Sequence, residues 1–460
     1  MSTIAKRGNT YRITVSCGYD MNNKQIRKSM TWTPLPGMTP KQIEKELQKQ
    51  AVLFEEKCAS GQYMDGNIKF ADFAERWFKD YAEKQLKVRT IARYREFMQR
   101  INPAIGHIRL DRLQPVHLIQ FYDNLAEKGI RNDIKYKPVA DIGQMLKDMN
   151  IKKVDFKKMA EISDSTLLAV CKGSNVKEKS AYNIAKALGV SVEQIFKADE
   201  KSQKGLSDIT ILHYHRLISS ILTCAVQWQV IIANPCNRVK PPKVERRTAR
   251  YLDDIQTAEM FKYLQNEPYQ YKTMITVLVY TGMRRGELFG LKWSDIDFKN
   301  KLISINRSRL YLPKVGTFED STKTYSSQRV MKVSDIVLQS LKLYKAQQDI
   351  EKNKVGDKWQ GTEYVFTSWD GKPFHPDSLT GWFGNFIKRY NLPDVCIHSL
   401  RHTNATLLIA NGVNLTTVAS RLGHSNTSTT ANIYAHAIKT ADEMAADTLQ
   451  DILSKASNMA

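Results

Sequence analysis

Apolar residues recur at helical spacing through most of this chain, and that periodicity is the strongest constraint on its fold. Phe70, Phe73, Trp77 and Tyr81 fall at i, i+3, i+7 and i+11, a single stripe down one helix face. Val88 to Ile101 continues the pattern with basic residues at 89, 93, 95 and 100, until Pro103 is expected to break it. Gly106-His107-Ile108-Arg109-Leu110 reads as the following turn, and Pro115 opens a helix ending near Gly129. Thr210 to Val230 is one long amphipathic helix, stopped by Asn234-Pro235. Strand-like alternation is confined to short pieces at Thr10 to Val15, Lys24 to Trp32, Leu302 to Leu310 and Arg329 to Val333. The expected fold class is therefore mainly α with small β elements.

Texture divides the 460 residues further. Residues 1–66 read as a three-stranded sheet plus a helix that Thr39 caps and Pro40 begins. Residues 67–130 are helical, and 205–240 return to the same texture. Between them, 131–204 hold five short amphipathic helices, at Gln144 to Met149, Phe156 to Ala160, Ser163 to Val170, Ser180 to Leu188 and Val192 to Phe196. Residues 241–250 form a proline-containing basic linker, and 251–460 are the largest unit, α+β in character.

Charge narrows the partner. Lys and Arg total 69 against 47 Asp and Glu, a net +22, which calls for a polyanion, with nucleic acid first and an anionic membrane surface second. The excess is spread over the modules: +4 in 1–66, +4 in 67–130, +5 in 131–204 and +5 in 238–250. Such a chain touches DNA at several points, and its binding should depend steeply on salt. No apolar run approaches the length of a membrane span, and Met1 to Thr14 lacks a signal-peptide core. The six cysteines are far apart without a CxxC pair, which suits a reducing cytosol and argues against a zinc site or disulfide framework.

Four strings of the last unit carry chemistry: Tyr280-Thr-Gly-Met-Arg284-Arg-Gly-Glu287, Ser321-Thr-Lys323 to Arg329, His398-Ser-Leu-Arg401-His402, and Leu422-Gly-His424 followed by Tyr434. A phosphodiester under attack gathers negative charge on its non-bridging oxygens, and arginine binds such a pair bidentately without losing its proton. His398 and Arg401 sit at i and i+3, able to reach one phosphate; Arg284 and Glu287 share that spacing, so the carboxylate can orient its neighbour. A hairpin lysine can protonate a leaving 5′ oxygen. Tyrosine becomes an adequate nucleophile where nearby cations favour its phenolate. No metal or other cofactor is called for. Taken singly, each string also fits an ordinary turn, hairpin or core residue; together, in this order, they do not.

The arrangement resembles the tyrosine recombinases, the integrase family of phages and conjugative transposons. The resemblance covers nearly the whole chain. It implies an arm-site DNA-binding domain at 1–66, a helical core-binding domain at 67–130 and 205–240, and a catalytic domain of the tyrosine recombinase type at 251–460. It further implies Arg284, Lys323, His398, Arg401 and His424 as catalytic groups, Tyr434 as the nucleophile and Glu287 as a supporting acid. The activity implied is site-specific cutting and rejoining of double-stranded DNA through a 3′-phosphotyrosyl link, integrating and excising a mobile element. A homotetramer on paired sites, accessory excision and DNA-bending proteins, no membrane, and a DNA-associated place in the bacterial cytoplasm go with it.

Residues 131–204 depart from that pattern. They resemble a phage-repressor helix-turn-helix domain, inserted where simpler relatives pass almost directly from Gly129 to Gly205. Ser165 and Thr166 then become DNA contacts, beside Arg7, Arg12, Arg27 and Lys28 on the first module and Arg89 and Arg93 on the second. Each of these basic groups also suits a solvated face, and the insert also suits a protein contact. Two rival functions remain, a non-enzymatic helix-turn-helix regulator and a type IB topoisomerase-like enzyme. The complete catalytic set disfavours the first, and the arm-like module disfavours the second.

Overall fold

The computed structural model describes residues 2–19, 23–59, 67–131, 133–245, 249–313, 315–321, 328–361 and 363–434. The chain forms two compact units, Met1–Glu245 and Arg246–Ala460.

The first unit opens with an antiparallel sheet in the order β1 (Ser2–Arg7), β2 (Thr10–Tyr19), β3 (Gln25–Trp32). Gly8, at φ +58°, supplies the left-handed residue that the two-residue turn between Arg7 and Thr10 requires. One sheet face packs on the helix Pro40–Ala59, through Ile13 and Val15 against Leu47, Ala51 and Phe54.

A separate helical core gathers Phe70, Phe73, Trp77, Phe97, Ile101, Leu118, Phe121, Leu217, Ile218 and Ile221. It therefore joins the helices Phe70–Trp77, Val88–Ile101 and Pro115–Ala126 to the later helix Asp208–Gln227. That last helix is long and apolar enough by composition to cross a membrane. Its apolar face is nonetheless consumed by this core, and Arg216, Ser219, Ser220, Thr223 and Gln227 occupy its other side. Pro103 does not end its helix: Val88–Ile101 runs on into a π turn, Asn102–Gly106. A π turn shifts the hydrogen-bond ladder by one residue, which accommodates the amide hydrogen that proline lacks.

Residues 135–198 enclose a core of their own, including Ile142, Leu146, Phe156, Leu167, Ala181, Ile184, Leu188 and Phe196. Five helices contribute: Ile142–Asp148, Lys153–Met159, Asp164–Cys171, Glu178–Leu188 and Val192–Ile195. A small sheet in the order β5 (Val176–Lys177), β4 (Lys135–Pro138), β6 (Phe196–Ala198) joins them, and no sequence pattern announced it. The entry and exit strands of this segment are drawn together. Gly129 N–H donates to the Gln203 carbonyl at 3.1 Å, and Leu206 N–H to the Leu125 carbonyl at 2.9 Å. A Cβ on Gly205 would stand 2.0 Å from the Ala126 carbonyl oxygen. Gly205→Ala should therefore force this junction apart at a cost of about 1–3 kcal/mol. Thermal melting of the full chain should show the loss, and an unchanged melting temperature would mean that the junction relaxes freely.

The second unit is built around the helix Tyr269–Thr281, buried along most of its length. Against it lie the helices Asp335–Val355 and Ile397–Ala410. A sheet in the order β11 (Arg329–Lys332), β8 (Leu302–Ile305), β7 (Ile296–Asp297) and a hairpin of β9 (Arg307–Leu312) with β10 (Gly316–Ser321) supply the β content. A second cluster of Ala405, Ile409, Val418, Leu422 and Tyr434 ties the helices Leu415–Leu422 and Thr427–Ile433 to Ile397–Ala410.

Candidate active site

Two glycine caps set the frame. Tyr269–Thr281 ends on Gly282 in the left-handed conformation, φ +65°. A Cβ there would meet Asn404 Oδ1 at 2.6 Å, so both the turn and the close approach require glycine. The chain reverses and places Arg284 just before the helix Arg285–Gly290, with Glu287 in its first turn. The Arg284 amide donates to Glu287 Oε2 and its Nη1 to Oε1, both at 2.8 Å. Arg329, at the start of β11, brings a second guanidinium to the same carboxylate, with Nη2 donating to Oε2 at 2.8 Å and Nη1 to Oε1 at 3.3 Å. Its Nε donates to the Arg421 carbonyl at 2.7 Å. Burial pushes the Glu287 carboxyl up, but Arg329 and Arg284 outweigh it and hold the group below the ordinary carboxylate range. Glu287 is thus a buried anion that orients two arginines.

Arg401 comes from the helix Ile397–Ala410 and is 3% exposed. Nη1 donates to the Gly282 carbonyl at 2.9 Å, whereas Nη2 is buried without a hydrogen-bond partner among the described residues. An unpartnered buried donor on a cation is costly, and an anionic oxygen is the ligand that satisfies it. Burial and then Arg284 lower Arg401 to about 9, so it remains cationic at neutral pH. The second cap, Gly423 at φ +68°, ends the helix Leu415–Leu422, and its carbonyl accepts from Arg284 Nη2 at 3.4 Å. His424 follows, with Nδ1 hydrogen-bonded to Thr430 Oγ1 at 2.7 Å. Tyr434 lies just beyond Thr427–Ile433, 1% exposed, its Oη hydrogen-bonded to His402 Nδ1 at 2.9 Å. The His402 ring stands edge-on to His398, centroids 4.8 Å apart.

Desolvation governs the protonation states. Burial, then His398 and Arg401, bring His402 down to about 4. Burial, then Arg401, Arg284 and Arg329, do the same for His424. His398 is lowered by burial, then by Arg401 and Arg284. Buried as neutral rings, His402 and His424 bind fewer protons folded than unfolded, where the ordinary value is 6.5. Their contribution to stability is thus present above about pH 6.5 and is lost as pH falls toward about 4. Thermal melts between about pH 7 and pH 4 should show this decline, and His402→Asn with His424→Asn should flatten it.

Tyr434 runs against the expectation that cations favour its phenolate. Burial pushes the phenol up to about 12, and the Arg401 charge only partly opposes it. The group rests as a phenol, so its proton must leave as attack proceeds.

The other expected residues are less convergent. Lys323 lies outside the described residues. Arg7, Arg12 and Arg27 share the sheet face opposite Ile13 and Val15, while Lys28 pairs with Val15 on the helix-facing side and does not join them. Arg89 and Arg93 are exposed one turn apart on Val88–Ile101. Ser165 and Thr166 direct their hydroxyls to the cap residue Ser163, at 2.8 and 2.9 Å. Two residues of the site had no assigned role in the sequence reading. Arg329 only closed the string that begins at Ser321, and His402 had only its place next to Arg401. Among the described residues, no group of three or more His, Cys, Asp or Glu side chains is placed to hold a metal ion.

Comparison with known proteins gives concordant likenesses. Residues 250–440 match the phage integrase family, and residues 69–126 match the phage integrase N-terminal SAM-like domain. A tyrosine recombinase XerC-like protein of Caldanaerobacter subterraneus is 31% identical over 265 residues, spanning 54% of this chain and 68% of that protein. The ICEBs1 integrase of Bacillus subtilis is 29% identical over 252 residues, 55% of this chain and 68% of that protein. Among solved structures, the Tn1549 transposon integrase in complex with a circular intermediate DNA superposes with a TM-score of 0.56 at 18% identity, covering 83% of this chain and 99% of that one.

Proposed function

The chain belongs to the phage integrase family of tyrosine recombinases and is a site-specific DNA recombinase, and from that premise we propose which of its residues do the work. Arg284 and Arg401 clamp the non-bridging oxygens of the scissile phosphate, and the unpartnered Nη2 of Arg401 is the donor awaiting that oxygen. Tyr434 Oη gives up its phenolic proton to solvent as it attacks phosphorus, the P–O5′ bond breaks, and a 3′-phosphotyrosyl link remains. Lys323 delivers a proton to the departing 5′ oxygen. His398 and His424, neutral in their buried setting, hydrogen-bond the phosphate oxygens as charge gathers on them. The 5′-hydroxyl of a partner strand then reverses the step. Bond energy is conserved in the link, so no nucleotide cofactor takes part.

The substrate is double-stranded DNA at the attachment sites of a mobile element, in the bacterial cytoplasm. Two strand exchanges take four protomers, assisted by excision and DNA-bending proteins. In this reading the basic sheet face bearing Arg7, Arg12 and Arg27 contacts arm sites. The helical core of 67–130 and 205–240 grips the core site with Arg89 and Arg93, and the segment 131–204 adds a DNA contact near Ser165 and Thr166.

The observation that carries the reading is the buried Arg401 guanidinium, with Nη2 unpartnered among the described residues and Arg284, His398, His424 and Tyr434 all within electrostatic reach of it. The test is covalent trapping. Incubated with a duplex nicked next to the exchange point, the protein should yield a denaturant-resistant adduct linking the DNA 3′ phosphate to the peptide that contains Tyr434. Attachment at the 5′ end, or through another residue, would refute it. Joining residues 130 and 205 by a short glycine-serine linker in place of 131–204 should preserve adduct formation, because the two chain segments are already adjacent there. A pure regulator would instead lose site recognition altogether.

A further inference from the structure

We propose that His402 is the positioning residue for the nucleophile: neutral, with its proton on Nε2, it accepts the Tyr434 phenolic hydrogen at Nδ1 and so sets where the attacking oxygen points. The inference rests on the reading of Tyr434 as nucleophile, and goes beyond it by giving a role to a histidine that the phosphate-binding set does not use. Tyr434 follows a short helix, Thr427–Ile433, whose last turn holds its amide on the Thr430 carbonyl at 3.0 Å. That bond fixes the backbone but leaves the ring to its side-chain torsions. At the far end of the ring, the Oη–Nδ1 hydrogen bond of 2.9 Å fixes the hydroxyl. His402 is itself held firmly. It sits on the same helix as Arg401, one turn after His398, whose ring it meets edge-on at 87°.

The groups that face it explain why it holds rather than takes a proton. Arg401 is its neighbour in the chain, His398 packs against it, the Tyr434 ring stands 5.7 Å away between centroids, and His424 lies within electrostatic reach. Protonation would put a second cation beside the Arg401 guanidinium in a desolvated pocket. An imidazole lone pair that stays unprotonated remains a hydrogen-bond acceptor. Attack at phosphorus requires the oxygen to be aligned with the departing 5′ oxygen, and loss of such alignment by about 1 Å costs on the order of 100-fold in rate.

Side-chain geometry supplies the test. Asparagine places Oδ1 where histidine has Nδ1, whereas the polar atoms of glutamine extend toward the Nε2 position. Single-turnover adduct formation at saturating nicked duplex should fall about 100-fold in His402→Leu and in His402→Gln, and recover to within about 10-fold of the parent in His402→Asn. DNA affinity should be unchanged in all three. A duplex with sulfur in place of the bridging 5′ oxygen releases a good leaving group without protonation, and should leave the His402→Leu deficit as large as before. Parent-like rates in His402→Leu, equal rates in His402→Asn and His402→Gln, or rescue by the sulfur substrate would each overturn the assignment. An adduct formed by Tyr434→Phe would instead overturn the nucleophile reading on which it rests.

Discussion

Tyr434→Phe should abolish covalent attachment to DNA while leaving DNA affinity and the fold intact. Phenylalanine fills the same buried volume against Ala405, Ile409, Val418 and Leu422, so the packing of the second cluster survives. The variant loses one hydrogen bond, to His402 Nδ1, which is worth about 1 kcal/mol. It loses the nucleophile, because Arg284, Arg401, His398 and His424 bind phosphate without forming a stable ester and the Glu287 carboxylate is held by Arg284 and Arg329. Removal of a covalent nucleophile lowers the rate by at least about 10⁴-fold. Gel analysis under denaturing conditions measures the adduct, and a mobility-shift titration measures binding. An adduct that persists in the variant would mean that another residue attacks.

Replacing Glu287 should have the largest effect on stability. Its carboxylate is 3% exposed at the side chain and holds the 7%-exposed guanidinium of Arg329 together with the amide and guanidinium of Arg284. Glu287→Ala leaves the buried Arg329 cation without its counter-charge, a change that costs about 3–5 kcal/mol. For a unit of this size the melting temperature should drop by roughly 10 °C. The Arg284 guanidinium loses its brace at the same time, so adduct formation should decline even below the melting range.

Glu287→Gln separates the two effects, since its amide oxygen can still accept the Arg284 backbone hydrogen bond. Because the folded carboxyl titrates below its ordinary value, its stabilisation is complete above about pH 4.5 and is lost as pH falls through the folded value. The parent should therefore lose stability in strong acid by an amount that Glu287→Gln does not. Coincident acid limbs for the two proteins would show that Glu287 is not held as an anion.

The strings of the candidate site that carry Arg284 and Arg401 were legible because their spacing is local. Gly282 as a left-handed cap, Arg284 before a helix and Glu287 in its first turn follow from rules that span a few residues. His398 and Arg401 share a helix for the same reason. The apolar stripe from Phe70 to Trp77 announced its buried face directly, and the long helix after residue 207 was equally plain. The sheet of β4, β5 and β6 was not legible. Strands of two to four residues show too little alternation, and their pairing depends on segments about 40 and 60 residues away. Pro103 misled because a helix-breaking rule assumes the α ladder, and the chain turns to a π geometry there.

By itself, the sequence determined which chemical groups the protein carries and on which local elements they ride: arginines, histidines and a tyrosine at helix-compatible spacings, on a basic, mostly helical chain. Only the tertiary structure decided what those groups are at neutral pH and whom they touch. Arg329 reaches Glu287 from 42 residues away, and His402 reaches Tyr434 from 32. Cations near Tyr434 were expected to favour its phenolate, yet burial prevails and keeps it a phenol near 12. The reason is physical. A charge is seen in the sequence wherever it occurs, but desolvation belongs to the packed surroundings of an atom, and those exist only once distant segments have folded together.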